Sequence, residues 1–431
     1  MIPGRISILT MGTRGDVNPY VALGCSLRRL GFSVRLATLE AFADQINKAG
    51  LEFFELPHPF DGMDDVLEPA DWQSSPQNLW RGRTHLRRAA SGMFRLFDKC
   101  LEACQESTAI VSGYAAFASP YIAARLQIPN YWALPQPMTP TREFPHYLTP
   151  WFSNLGPGAN RISFSVVDRI QRFLFNPLLR RWNEKRLGPR LATKGSAVLP
   201  GHGSSPVLYA FSRFVVSKPA DWSDDTHITG FWFADQGTPS PELVRFLEEG
   251  TEPICFCLGA VHGLDWNLVP EFVGRASKLT GRRCVLIKGG RPIPECGSDS
   301  VLSVKYAPHN WLFPRVAAVV HHGGSGTTGE VLRAGRPSVI LPRFMDQPYW
   351  ANAMHRLGVA PAPLFRAEAT PEAVASALST ILMEPQYLRK ATLIADKIRS
   401  EGGATAAAEI LQDHLTGPRS VLRQHAGSGT R

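Results

Sequence analysis

No stretch of this 431-residue chain reaches the roughly 18 consecutive apolar positions of a membrane-spanning helix, so no segment reads as one. Cysteine is scarce and odd in number, at seven. Cys255 and Cys257 fall on opposite faces of an expected strand, and Cys100 and Cys104 share a helix face with no His or Cys cluster nearby. That usage excludes a disulfide framework and a structural zinc site, and it suits a reducing cytoplasm. The opening MIPGRISILTMGTRGD is a short strand and a polar turn, too brief for a signal peptide's apolar core. Charged residues make up 19% of the chain and apolar residues 44%, which places it among globular proteins. Its length exceeds one ordinary core and implies two domains. No G-K-[ST] is present, so a P-loop is excluded, and no D-x-D offers a metal-diphosphate ligand pair.

The most informative segment is residues 321–348, HHGGSGTTGEVLRAGRPSVILPRFMDQP. The run Val316 to Val320 reads as a buried parallel strand. It enters two histidines and a glycine-rich turn, and Thr327-Thr328-Gly329-Glu330-Val331-Leu332 reads as the first turns of a helix. A strand, a glycine turn and a helix N-terminus form an anion site, because unpaired amides and the positive end of the helix dipole converge there. The loop is not read as a dinucleotide fingerprint. A second strand from Pro337 to Pro342 is followed by Asp346-Gln347, an acid–amide pair suited to hydroxyls. Open parallel sheets bind ligands at the carboxyl ends of their strands. Phosphate and polyol together indicate a nucleotide sugar.

This region resembles the donor-binding signature of the family 1 glycosyltransferases of GT-B fold, and is similar above all to sterol 3-beta-glucosyltransferases and bacterial natural-product glycosyltransferases. The likeness extends over MGTRGDVNPYVALG (11–24), PMTPTREFPHY (137–147), Asp221-Trp222 to Phe233, YAPHNWLFPRVAAVVHHGGSGTT (306–328) and KIRSEGG (397–403). It implies two Rossmann-like, doubly wound α/β domains facing across a cleft, and inverting transfer of a hexose, glucose first, from a UDP-sugar. Asp16 is then the general base that takes the acceptor hydroxyl's proton. From spacing alone Asp16 could equally cap the helix beginning near Asn18. The family pattern also assigns His322 to the phosphates and Glu330 to the ribose. Gly324, Gly326, Thr327 and Thr328 would supply amides and hydroxyls to the diphosphate. Tyr306 and His309 align with a Trp-x-Pro-Gln pattern whose aromatic stacks on the base. Asp346 and Gln347 would hold the sugar. In Leu258-Gly259-Ala260-Val261, Gly259 matches a phosphate-contacting loop, and Ala260 stands where relatives carry Ser. His321 reads as a satisfied core histidine. The leaving diphosphate is expected to be held by helix amides and His322 with neither metal nor cofactor.

The alternation of elements predicts two domains, 1–218 and 219–400, and a disordered tail over 417–431. The resemblance implies that the first binds the acceptor and the second the nucleotide sugar, and that a closing helix over 401–416 packs back on the first domain. Aromatic-rich loops would wall the acceptor side, with Trp80, Phe117, Trp132, Met138 and Phe144 as contacts for a rigid hydrophobic acceptor such as a sterol or triterpenoid. A polyketide, glycopeptide or other aglycone stays open, as does a dTDP-sugar donor. An epimerase of the same architecture would not need those loops. A non-catalytic lipid-binding protein would leave Asp16 and Asp346-Gln347 unexplained. The net charge of +9 is concentrated: residues 81–99 carry six Lys/Arg against one Asp, and 161–194 carry nine against two acids. The second segment sets Ile162, Val166, Ile170 and Phe173 among Arg169, Arg172, Arg180 and Arg181. That is either a helix resting on anionic membrane or one packing its apolar stripe on its own domain. Nucleic acid is not expected as a partner.

Overall fold

The computed structural model describes residues 4–60, 83–149, 155–186, 205–235, 237–259, 269–289, 293–294, 298–365 and 368–417. The first half contains β1 (Arg5–Leu9), α1 (Arg14–Arg29), β2 (Ser33–Thr38), α2 (Ala43–Lys48) and β3 (Glu52–Glu55). It continues with α3 (Ala90–Ala103), β4 (Ser107–Ser112), α4 (Ser119–Leu126), β5 (Asn130–Leu134), the long α5 (Pro157–Arg186), β6 (Val207–Tyr209) and β7 (Thr226–Ile228). The second half holds α6 (Pro241–Glu248), β8 (Ile254–Cys257), α7 (Val269–Thr280), β9 (Cys284–Ile287), β10 (Val301–Val304) and β11 (Ala318–His321). It ends with α8 (Ser325–Ala334), β12 (Ser338–Ile340), α9 (Gln347–Leu357), α10 (Pro371–Met383), α11 (Pro385–Arg399) and α12 (Gly403–Thr416).

Among the described residues these strands form two all-parallel sheets, ordered β3-β2-β1-β4-β5-β6-β7 and β10-β9-β8-β11-β12. Helices cover both faces, so the central strands are apolar without alternation: β8 (ICFC) and β11 (AVVH) are buried at every position. The strand order reverses direction between β1 and β4 in the first sheet and between β8 and β11 in the second. Such reversal points are where crevices open at the carboxyl ends of strands. The segment carrying Asp16 follows β1, and the glycine loop follows β11.

Both domains and the expected doubly wound architecture are present. The first sheet nonetheless extends past residue 218, because β7 pairs with β6 through Val207–Thr226, Leu208–His227 and Tyr209–Ile228. β6 and β7 span three residues each, too short for a periodic signal. The last helix returns to the first domain: Ala407, Ala408 and Leu411 of α12 share a core with Val17, Val21 and Leu27 of α1. The Tyr131 hydroxyl and His414 Nδ1 meet at 2.7 Å.

The basic helix α5 turns Phe164, Val167, Leu174, Leu178 and Trp182 inward. Of its four apolar positions named above, Ile170 and Phe173 pack on the core of the first domain while Ile162 is 58% exposed. Arg169, Arg180 and Arg181 point to solvent, and Arg172 pairs with Asp168 at 2.7 Å. Half of the named stripe, Ile170 and Phe173, therefore serves the domain itself. The six described cysteines are all free. No helix of the described residues is long and apolar enough to cross a membrane.

Candidate functional site

Helix α1 begins one turn earlier than Asn18. Thr13 is its N-cap and Asp16 its third residue, which leaves Pro19 inside the helix. The Asp16 Oδ2 atom accepts from the Thr13 amide at 2.8 Å and the Thr13 hydroxyl at 2.9 Å, a capping box with Asp in the acid's place. The capping alternative is thus present in the structure. It does not exclude the base reading, because both bonds land on Oδ2 and leave Oδ1 for a substrate hydroxyl. Gly12 has φ of +133°, and a Cβ there would run into the Asp16 carboxylate, so this turn requires glycine. Burial raises the Asp16 pKa, and the two Thr13 bonds oppose the rise. A carboxylate lifted toward neutrality is a better match to an acceptor proton than an ordinary one.

Across the cleft, the glycine loop links β11 to α8 with Gly324 as N-cap. The Thr328 amide bonds to the Gly324 carbonyl at 2.9 Å, and its side chain is fully buried with an unpartnered Oγ1. Thr328 therefore faces the interior. The amides with no partner inside the helix are those of Ser325, Gly326 and Thr327, where the sequence reading had grouped Thr328 with the donors. His322 sits between Gly324 and Gly259: a Cβ at Gly259 would lie 2.8 Å from its Cε1, and one at Gly324 2.5 Å from its Nε2. Its Nδ1 is buried without a hydrogen bond. Burial lowers its pKa to about 4, with the nearby Cys257 carbonyl opposing, so the ring is neutral. His309 is likewise lowered to about 4, first by burial and then by the charges of His322, Arg14 and Arg333. Its ring stacks on Phe313 at 4.5 Å, and its Nε2 lies 3.4 Å from Cys257 Sγ. The Glu330 carboxylate is buried against Arg333 at 2.5 Å, so a ribose would share it with that guanidinium.

His321 is fully buried, and its Nδ1 accepts from the Gly323 amide at 3.1 Å. Its Nε2 has no partner, so it is only half satisfied. Burial lowers its pKa to about 3, as it does for the fully buried His146 of the 137–147 segment. Both stay neutral in the fold but accept a proton readily once unfolded. Their stabilisation is complete above an unfolded pKa near 6.5 and declines as pH falls from there toward 3, by roughly 1–2 kcal/mol each at about pH 5. Thermal melts should shift to lower temperature between pH 7 and pH 5. His146→Asn, which can still accept from the Leu148 amide, should flatten that slope even if it lowers the neutral-pH midpoint. An unchanged slope would mean His146 is not the group being protonated.

Asp346 is the N-cap of α9, six residues beyond β12, and follows Met345 at φ +56°, an uncommon conformation for a non-glycine. Its Oδ2 accepts from Trp350 Nε1 at 3.0 Å and, across the domain boundary, from Gln136 Nε2 at 3.2 Å. Its pKa rises to about 6, first through burial and then through the Asp16 charge, with the two donors opposing. The Asp16 charge is therefore felt at Asp346, which places the candidate base and the candidate sugar-site acid in one electrostatic environment. Gln347 Oε1 accepts from the Arg343 amide at 2.9 Å, so what remains for a sugar is its amide nitrogen as donor. The acceptor half of this amide is committed to its own loop.

The two halves are in contact. A Cβ on Gly326 would lie 3.3 Å from Gly15 Cα, so the helix terminus and the Asp16 turn approach closely. Ser325 Oγ donates to the Pro135 carbonyl at 3.1 Å, and the Arg14 guanidinium lies 4.7 Å from the Tyr306 ring centroid. Burial raises the pKa of the fully covered Tyr147 well above normal, and Tyr114, Asp346 and Asp16 add to the rise. Of the expected acceptor residues, Phe117 stacks on Phe175 at 4.6 Å and is partly exposed. Phe144 meets Trp222 and Tyr349 edge-on at 6.1 Å. Trp132 and Met138 are buried in the core, where Met138's amide bonds to the Tyr209 hydroxyl at 3.0 Å. They shape the wall from behind. Trp80, Ala260, Val261 and the 418–431 tail lie outside the described residues.

Sequence reasoning missed Gln136, Trp350, Arg14 and Tyr147. Trp350 had a signal, since it stands four residues after Asp346 at helical spacing. Gly324, Gly326 and Gly329 do stand at G-x-G-x-x-G spacing, which corrects the expectation that the Rossmann spacing is absent from this loop. A Cβ at Gly329 would meet Phe231 at 2.6 Å, the close packing that a third glycine permits.

Comparison with known proteins bears on family and fold. Residues 6–133 match the glycosyltransferase family 28 N-terminal domain, and residues 291–414 the erythromycin biosynthesis protein CIII-like C-terminal domain. A sterol 3-beta-glucosyltransferase of Yarrowia lipolytica is 32% identical over 98% of this chain, which spans only 29% of that protein. One from Arabidopsis thaliana is 31% identical over 96% of the chain and 66% of its own length. The O-mycaminosyltylonolide 6-deoxyallosyltransferase of Streptomyces fradiae is 33% identical over 95% of this chain and 97% of its own. The solved glycotransferase of kitacinnamycin superposes with a TM-score of 0.68 at 19% identity, covering 95% of this chain and 98% of that one. By fold, family models and full-length similarity, this chain belongs to the GT-B glycosyltransferases, alongside the sterol 3-beta-glucosyltransferases and the bacterial natural-product glycosyltransferases.

Proposed function

We propose that this protein moves a hexose, glucose first, from a UDP-sugar to a hydroxyl of a hydrophobic acceptor such as a sterol or triterpenoid, with inversion at the anomeric carbon. The observation that carries this reading is the facing arrangement of Asp16 on one domain with Asp346, His322 and the open amides of α8 on the other. The acceptor oxygen forms its bond to the anomeric carbon as the bond from that carbon to the diphosphate oxygen breaks. The acceptor proton goes to Asp16 Oδ1. The charge released on the diphosphate is met by the Ser325, Gly326 and Thr327 amides and the dipole of α8, with His322 as a neutral donor. No divalent ion or cofactor is assigned a step.

The acceptor class rests on the sterol relatives. A second reading, a soluble natural-product aglycone taking sugar from a dTDP donor, is favoured by the Streptomyces fradiae relative matched over nearly its whole length. It is also favoured by the fold neighbour spinosyn rhamnosyltransferase, solved with thymidine diphosphate, at a TM-score of 0.65. The exposed arginines of α5 support peripheral contact with anionic membrane under the sterol reading alone.

The deciding experiment is a screen of purified protein with UDP- and dTDP-sugars against sterols, triterpenoids and polyketide aglycones, the sterols also presented in anionic vesicles, before and after dialysis against a chelator. Glycosylated sterol from UDP-glucose, unaffected by chelation, is the expected result. Transfer only to soluble aglycones would select the second reading. Loss of activity restored by a divalent ion would overturn the metal-free account of the leaving group.

A further inference from the structure

The donor diphosphate carries at least two negative charges, and three basic side chains around the glycine loop of the second domain are neutral or already engaged. His322 and His309 are neutral, and Arg333 is committed to Glu330 at 2.5 Å and to the Phe233 ring at 3.9 Å. A cation at the seam comes from the other domain. Arg14 is the first helical residue of α1, two before Asp16, and its side chain is exposed. Among the described residues its guanidinium rests on the face of Tyr306 at 4.7 Å rather than on a carboxylate. Its neighbour Gly15 is the residue against which Gly326 of the α8 terminus packs. The backbone that bears Arg14 is therefore already at the turn whose free amides face the diphosphate.

We infer that Arg14 is the first domain's contact to the donor diphosphate, a positioning residue that leaves the Tyr306 face when a nucleobase stacks there and swings to the phosphates. This deepens the proposed function and rests on its assignment of the α8 terminus to the donor. A planar guanidinium suits both situations, since it stacks on an aromatic face and forks onto phosphate oxygens. Its exchange between the two ties donor binding to the seam between the domains, and brings the adjacent Asp16 turn into register only when a diphosphate is present. An unbound Arg14 covers the base platform, and a bound donor uncovers it.

The test is calorimetric, on the full chain, with UDP, dTDP, uridine and thymidine as ligands. The variants are Arg14→Ala and Arg14→Lys, each checked for an unchanged melting temperature. Arg14→Ala should weaken binding of the better nucleoside diphosphate by about tenfold to a hundredfold, the scale of losing a charge-assisted phosphate contact. It should leave binding of the matching nucleoside equal or tighter, because Tyr306 is uncovered. Arg14→Lys should restore part of the diphosphate affinity. Equal weakening of diphosphate and nucleoside would show that Arg14 merely supports Tyr306, and would overturn the inference while leaving the donor site standing. Unchanged diphosphate binding would overturn it as well. If the unmodified protein binds neither diphosphate, the proposed function itself fails, so the two failures are separated by the unmodified arm.

Discussion

Replacing Asp16 by Asn is expected to lower turnover by about 10² to 10⁴, the usual cost of losing a general base, while leaving nucleotide-sugar affinity within about twofold. Asn is the informative substitution because its carbonyl oxygen can still accept the two Thr13 bonds that Oδ2 now takes, so the N-terminus of α1 keeps its cap. What is lost is the capacity to hold the acceptor's proton. Steady-state kinetics with saturating donor separates the cap that the structure shows from the base role proposed for this carboxylate. A variant turning over above about a tenth of the parent rate would make Asp16 a cap and nothing more.

The second large effect concerns Asp346. Asp346→Asn is expected to lower the rate by roughly 10² and to narrow the preference among UDP-sugars, since a site built to hydrogen-bond hydroxyls rejects analogues by leaving its own polar groups unpaired. The same change should move the acid limb of the kcat/KM profile to lower pH. The sign follows from the raised carboxyl: burial, with the Asp16 charge adding to it, brings Asp346 to about 6, and Asn has no proton to take up there, so the limb that Asp346 contributes is lost. Asn remains able to accept from Trp350 and Gln136, which keeps the start of α9 intact. Equal loss on every donor with an unmoved limb would mean the residue is structural.

How much of this was visible beforehand depended on whether the information was local. The β11–loop–α8 unit was visible, because a buried strand, glycines and a helix start are adjacent in sequence. The strand expected over Val316 to Val320 forms at Ala318–His321, and the one expected from Pro337 to Pro342 at Ser338–Ile340. Helix α1 was set one turn late because proline favours a first turn. Burial of Val17, Tyr20 and Val21 against the first sheet holds Pro19 inside the helix instead. The contacts that complete the site were not readable: Gln136 with Asp346, Gly15 with Gly326 and Arg14 with Tyr306 join residues far apart in sequence. Periodicity reports which face of an element is buried, not which distant element covers it. Similarly, Met138 and Thr328 carry the right chemistry for a site, and only the packing shows that they face inward.

The central claim is that a hydroxyl deprotonated by Asp16 attacks the anomeric carbon from the first domain while the diphosphate leaves into the second. The most direct measurement is the anomeric configuration of the product, read by proton NMR after transfer from an α-linked nucleoside-diphosphate sugar. Facing domains with the base on the side opposite the leaving group predict the β-linked product. An α-linked product would contradict a single displacement assisted by Asp16.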